Sequence, residues 1–290
     1  MLQRTTLLSI IALQCATFAD SGAAQSLADY LGDSHKGVYE ELERLLGISI
    51  DAQITQIYDE APQSVLEVGL QKDYFAMKDD EKRYKMQFES TSKFPIWFYT
   101  YADFRGSTRR LERNIADADA LDIANEVARA LGLDLREARS STWRDGHYFK
   151  VHMTQVYGGY ECRGSFLGVT ILDDGQILSF LHTPMVKRLD DTECTLNRDQ
   201  IQECVEKYLA QQGGKPTEVY VPDVPQCVGR IPKDLGVGKS VFEAGLDGHL
   251  VWSVRTSDGD ALTLDCDTGE ITQALRLATG QSRPPATPSN

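Results

Sequence analysis

Five histidines, His35, His147, His152, His182 and His249, are the first residues in this sequence to weigh for acid–base or metal chemistry. A metal would draw on His147, His152 and His182 together. In the run 147–157, Phe149, Val151 and Met153 alternate with Lys150, His152 and Thr154. His152 therefore belongs to the face opposite the apolar one, and His147, five positions away, to the other face. The three are not expected to converge, so neither a metal nor a cofactor is assigned. Nucleophile signatures are missing as well: there is no Gly-x-Ser-x-Gly, and no Ser-x-x-Lys accompanied by the other penicillin-binding motifs. Gly236–Ser240, GVGKS, ends like a phosphate loop, but Lys233 stands where the first glycine is needed. The doublets Asp79-Asp80 and Asp190-Asp191 lie in polar connections without the alternating Asp/Asn pattern of a calcium loop. No catalytic residue is assigned, and an unrecognised hydrolase or metal enzyme is the third of the readings weighed below.

Aromatic and sulfur side chains carry more information. In FPIWFYTYADF, alternation puts Trp97, Tyr99 and Tyr101 on one face of a strand, and Ile96 and Phe98 on the other. With both faces apolar, either the strand is covered twice or one aromatic face receives a partner. Beyond Cys15 the cysteines are Cys162, Cys194, Cys204, Cys227 and Cys266. No pair has CxxC spacing, which argues against a zinc knuckle or a thioredoxin-like site. Cys204 shares a helical face with Ile201, Val205, Tyr208 and Leu209, and Cys266 alternates with Leu262 and Leu264, so both read as core residues. Cys162, Cys194 and Cys227 fall in turns or connections and are the disulfide candidates, with connectivity left open. Five is an odd count, which leaves at least one thiol unpaired or intermolecular.

These residues must be positioned by helices and strands that the sequence marks clearly. DALDIANEVARALG, 119–132, has helical spacing at Ala120, Ile123, Ala124, Val127, Ala128 and Leu131, with Asp119 to cap it and Gly132 to end it. In LNRDQIQECVEKYLAQQGG, Asn197 and Gln200 have capping-box spacing, Leu196 and Ile201 form a hydrophobic staple, and Gly213 is a stop. Strands follow each helix. The first set is 147–157, 165–172 and 176–182, turning at Gly158-Gly159 and Asp174-Gly175; the second is 249–256, 261–266 and 270–275, turning at Asp258-Gly259 and Thr268-Gly269. The pattern is an internal repeat, DDGQI in one copy matching DTGEI in the other. It predicts an α+β fold: tandem modules of one helix packed on an antiparallel β-meander. Module bounds are 117–190 and 195–275. An N-terminal segment, 26–112, has a helix with Val38, Leu42, Leu45 and Leu46 inward and strands at 82–90 and 95–103, and is read as a degenerate copy. The Pro/Ser/Thr-rich tail, 276–290, has nothing to bury and is expected to be disordered.

The strand-and-turn motifs resemble a known family. LVWSVRT followed by LTLDCDTGEIT resembles the PepSY module, whose last hairpin runs through the equivalents of Asp265, Cys266, Asp267, Thr268 and Gly269. QVYGGYECRGSFLGVTILDDGQILSF resembles the related module of thermolysin- and fungalysin-type propeptides, with Gln155, Tyr157, Gly159, Gly164, Asp174 and Gly175 matching. The resemblance covers about 117–275. It departs at Tyr160, Glu161 and Cys162, where the family has a small or aliphatic pair. No His-Glu-x-x-His motif accompanies the modules, so no peptidase domain is expected. The resemblance implies a non-catalytic module that binds a polypeptide, inhibiting or chaperoning a peptidase supplied in trans. Tyr160 and Glu161, at the departure, and Trp97, Tyr99 and Tyr101 are the partner-binding candidates. The alternative is a structural or envelope-associated scaffold bridged by its unpaired cysteine.

Charge and the N-terminus bound the partners. Arg4, the apolar run Leu7–Phe18 and the small residues that follow have the form of a signal peptide, 1–19 or as late as 24. The run is too short to cross a bilayer, which takes ~20 apolar residues, and no later segment is longer. Its removal takes one cation, so the whole-chain balance of 30 cations and 43 anions becomes 29 against 43. Such an excess of anions disfavours nucleic acid and anionic lipid surfaces, which need cationic stripes. A secreted or periplasmic location is expected.

Overall fold

The computed structural model describes residues 26–33, 35–49, 54–60, 63–68, 84–89, 92–100, 114–190, 193–212, 217–236, 239–276 and 281–283. The leader segment, Cys15, Asp79-Asp80, Asp191, Tyr101 and Gly213 lie outside them. The chain divides into two compact units, Met1–Arg110 and Leu111–Asn290.

In the first unit, α1 (Leu27–Leu31) starts at a capping box in which Ser26 and Asp29 each accept from the other's backbone N–H. Helix α2 (Lys36–Leu46) ends where Gly47 takes a positive φ of 62°. Four strands, β1 (Ile54–Glu60), β2 (Gln63–Val68), β3 (Tyr84–Glu89) and β4 (Pro95–Thr100), pair antiparallel in chain order. The first two were not expected from the sequence. Leu42, Leu45 and Leu46 are buried as expected, but Val38 is only half-buried and Tyr39 takes its place in the core, its hydroxyl donating to Lys93 O at 2.6 Å.

The second unit begins with α3 (Asp117–Ala130), which buries the predicted Ala120, Ile123, Ala124, Val127 and Ala128. Its start is three residues earlier than a cap at Asp119 implies, so Asp119 sits in the first turn and reaches back to accept from Ala116 N at 2.8 Å. The helix packs on β5 (Arg139–Asp145), β6 (Tyr148–Tyr157) and β7 (Tyr160–Leu172), and β7 continues the antiparallel run into β8 (Ile177–His182). After β9 (Val186–Leu189), α4 (Arg198–Gln211) opens on the predicted capping box: Asn197 N donates to Gln200 Oε1 at 2.9 Å, and Gln200 N to Asn197 Oδ1 at 3.1 Å. Then come β10 (Val219–Tyr220), β11 (Gln226–Arg230), the single turn α5 (Val241–Ala244), β12 (Leu246–Thr256), β13 (Asp260–Asp265) and β14 (Ile271–Arg276). Ile201 and Val205 of α4 enter one core cluster with Leu250, Trp252, Val254, Leu262, Leu264 and Cys266.

The unit is therefore mixed α and β, with antiparallel pairing dominant. Among the described residues parallel pairing occurs at two places, β7 with β11 and β9 with β12. Both connect strands that follow α3 to strands that follow α4, within the compact unit Leu111–Asn290. Gln281–Arg283 forms β15, antiparallel to β14, because a ladder needs backbone groups and no apolar side chain.

Candidate functional site

The hairpin tip singled out by its unusual residues is where the ladder between β6 and β7 breaks. Two steps along β6, Thr154 to Val156, face five along β7, from Phe166 back to Glu161. The extra residues of β7 bulge away from β6, with Gly164 at φ 90°. Within that bulge Cys162 and Arg163 turn to pair with Cys227 and Val228 of β11. On the β6 side, the freed Gln155 is buried and spans the start of β9: its Nε2 donates to Val186 O at 2.9 Å and its Oε1 accepts from Val186 N at 2.8 Å. Tyr157 Oη donates to Lys187 O at 2.5 Å. Gln155 and Tyr157, two of the motif residues that carried the resemblance, thus tie β6 to β9.

The tip itself is split between two environments. Tyr157 and Tyr160 pack against the core cluster under α4, and Cys162 is a member of it. Glu161 instead pairs with Arg139 at the start of β5, 2.6 Å away, and retains 28% of its side-chain exposure. Glu161 also lines a groove of about 530 Å³ with Arg163, Tyr220, Gln226, Ser253 and Arg255. Of the two tip candidates, only Glu161 reaches that groove. In the first unit Trp97 and Tyr99 stack with centroids 6.0 Å apart and planes 4° from parallel. Ile96 and Phe98 are buried on the opposite face, Trp97 is half-buried and Tyr99 is 37% exposed.

Strand β5 was not anticipated from the sequence, and it is the most accessible element of this region. Six of its seven residues are exposed, Trp143 at 48%. It pairs with β6 along its whole length, Arg139 with Thr154 through to Asp145 with Tyr148, and among the described residues its other edge is unpaired. The turn that joins it to β6 is Asp145-Gly146-His147, with Gly146 at φ 63°. Asp-Gly there was a legible hairpin signal of the same kind as Asp174-Gly175.

The second hairpin motif has its own geometry. Asp265 Oδ1 accepts from Asp267 N, Thr268 N and Thr268 Oγ1 at 3.1, 2.9 and 3.0 Å, and Oδ2 meets His249 Nε2 at 2.9 Å. Burial works to raise the Asp265 carboxyl, but these donors outweigh it, Thr268 N–H foremost, and bring it down to about 2. Gly269, at φ 70°, brings the turn against α4: a Cβ there would lie 2.8 Å from Cys204 Sγ.

The remaining histidines and cysteines are dispersed. His147 meets Asp173 at 3.0 Å, His152 lies over Phe166, and His182 is buried edge-on to Phe242. No group of three metal-ligating side chains occurs among the described residues, and no helix there is long and apolar enough to cross a membrane. A disulfide joins Cys194 to Cys266. Cys266, expected in the core, is buried and bridged at once. Cys162 and Cys227 are buried thiols, and Cys204 is a half-buried one.

No protein-family model matches the chain, and no curated protein matches it. Among solved structures it is similar to the Bacillus megaterium YpeB C-terminal domain, at 12% identity and a TM-score of 0.42, over 83% of this chain and 96% of that one. It is also similar to an uncharacterized protein from Eubacterium rectale ATCC 33656, at 12% identity and a TM-score of 0.40, over 90% and 84% of the two chains. At these scores the likeness identifies neither a family nor an activity.

Proposed function

We propose that this chain is a secreted or periplasmic, non-catalytic binding protein built from PepSY-like helix-on-meander modules in tandem, and that it holds a polypeptide partner as an added strand along β5. The observation that carries the reading is the outer edge of β5, seven residues long, unpaired among the described residues and exposed along its side chains. Such an edge presents backbone N–H and C=O groups in strand geometry, which an extended peptide satisfies in register. Trp143, half-exposed on that strand, supplies an apolar anchor of the kind that dominates interface energies. Trp97 and Tyr99, in the first unit, offer a separate aromatic contact surface.

A peptidase acting in trans is the partner class that the propeptide resemblance implies. The test is a titration of the full chain into a thermolysin-type zinc peptidase cleaving a protein substrate. Saturable inhibition is expected, weakened about tenfold or more by Trp143→Ala, with an unchanged melting temperature. A peptidase rate that stays constant at saturating concentrations of the chain rules out the inhibitory reading.

A further inference from the structure

We propose that Cys162 and Cys227 form a second disulfide, a covalent staple across the β7–β11 seam. The two residues are direct register partners on adjacent parallel strands, and both are fully buried. Neighbouring strands lie about 4.8 Å apart, inside the Cα separation that a disulfide spans. Register partners also send their side chains to the same face, and both belong to the core cluster under α4. The space is prepared by a glycine: a Cβ at Gly248 would lie 2.6 Å from Cys227 Sγ.

The Cys162 thiol donates to Tyr160 O at 3.7 Å. The neighbouring Cys162 and the His249 backbone N–H hold the Cys227 thiol below its ordinary range despite burial, while Cys227 and burial push Cys162 up. The thiolate of one cysteine of the pair displaces one sulfur of an external disulfide, such as oxidised glutathione or the disulfide of an oxidoreductase, giving a mixed disulfide. The other cysteine, losing its proton to solvent, then attacks the protein sulfur of that mixed disulfide and expels the second thiolate. Two thiols are oxidised, one external disulfide is reduced to two thiols, and the atoms balance. Exchange takes place while the seam is still open in folding, since both sulfurs are buried afterwards.

The seam has a reason to be stapled. Its ladder is two register pairs long, Cys162 with Cys227 and Arg163 with Val228, and it joins the strands after α3 to the strands after α4. The Cys194–Cys266 bridge shows that the fold already accommodates a disulfide in the same region, and the second bridge leaves Cys204 as the single unpaired thiol of the described five.

The full chain, folded in a glutathione redox buffer, is denatured, its free thiols are blocked with iodoacetamide, and it is digested without reduction. A Cys162–Cys227 linked peptide is expected beside Cys194–Cys266, with Cys204 alkylated. Alkylated Cys162 and Cys227 beside an intact Cys194–Cys266 bridge overturns the proposal, as does any bridge from either residue to another cysteine. Under the same oxidising conditions, Cys162→Ala/Cys227→Ala is expected to melt about 5–15 °C lower. Should that variant not fold, the peptide map of the wild-type chain still decides.

Discussion

Gln155 and Asp265 show how single side chains in this protein do work normally left to backbone ladders. Gln155 is buried with both amide groups spent on Val186, so its carboxamide stands in for a strand where β7 has bulged away. Gln155→Leu keeps the bulk and strands a backbone donor and an acceptor, each costing about 1–3 kcal/mol. A loss of about 3 kcal/mol in urea unfolding is expected, and a loss near zero would mean that water replaces the amide. Asp265 is a charge question. Its folded carboxyl titrates at about 2, below the unfolded value of about 3.9. The stability it contributes is therefore present above pH ~4, about 2 kcal/mol, and is lost as pH falls toward ~2. Asp265→Asn should be less stable than wild type at neutral pH, with the gap closing across that acid window. A gap independent of pH would assign the effect to hydrogen-bond geometry alone.

At the level of elements, the helices and the long strands were legible because their signals are local. The capping box Asn197/Gln200, the apolar stripe of α3 and the glycine turns are all short-range features, and the structure places them within a residue or two of expectation. The strands that were missed, such as β5, β10 and β11, are short or polar and are specified by their neighbours. β5 is the instructive case, since six exposed residues give no alternation to read and only the Asp145-Gly146 turn marked it. The hairpin β13–β14 illustrates how a turn also sets packing. A Cβ at Gly269 would lie 2.8 Å from Cys204 Sγ and 3.0 Å from Leu196 Cδ1, so these side chains would have to shift, and its φ of 70° disfavours a Cβ as well. Gly269→Ala is expected to cost about 2 kcal/mol, read as a lower thermal midpoint. An unchanged midpoint would show that α4 can retreat from the turn.

Across the whole second unit, long-range pairing decides what sequence patterns leave open. The repeat of helix and meander predicts tandem modules, and it carries no signal for the parallel pairings of β7 with β11 and β9 with β12 that run between the two stretches. Cys194–Cys266 was unreadable for the same reason: its partners are 72 positions apart and meet only through the fold. Tyr160 and Glu161 stood out as unexplained residues, and the structure separates them, one toward the α4 core and one toward Arg139 of β5. The binding account therefore rests on β5. The most direct measurement is amide hydrogen exchange on the full chain, with and without a saturating extended peptide selected by display for binding to it. Slowed exchange concentrated at 139–145, abolished when alternate amides of the peptide are N-methylated, is the predicted result. Saturable binding that leaves the amides of β5 exchanging at their free rate would contradict it.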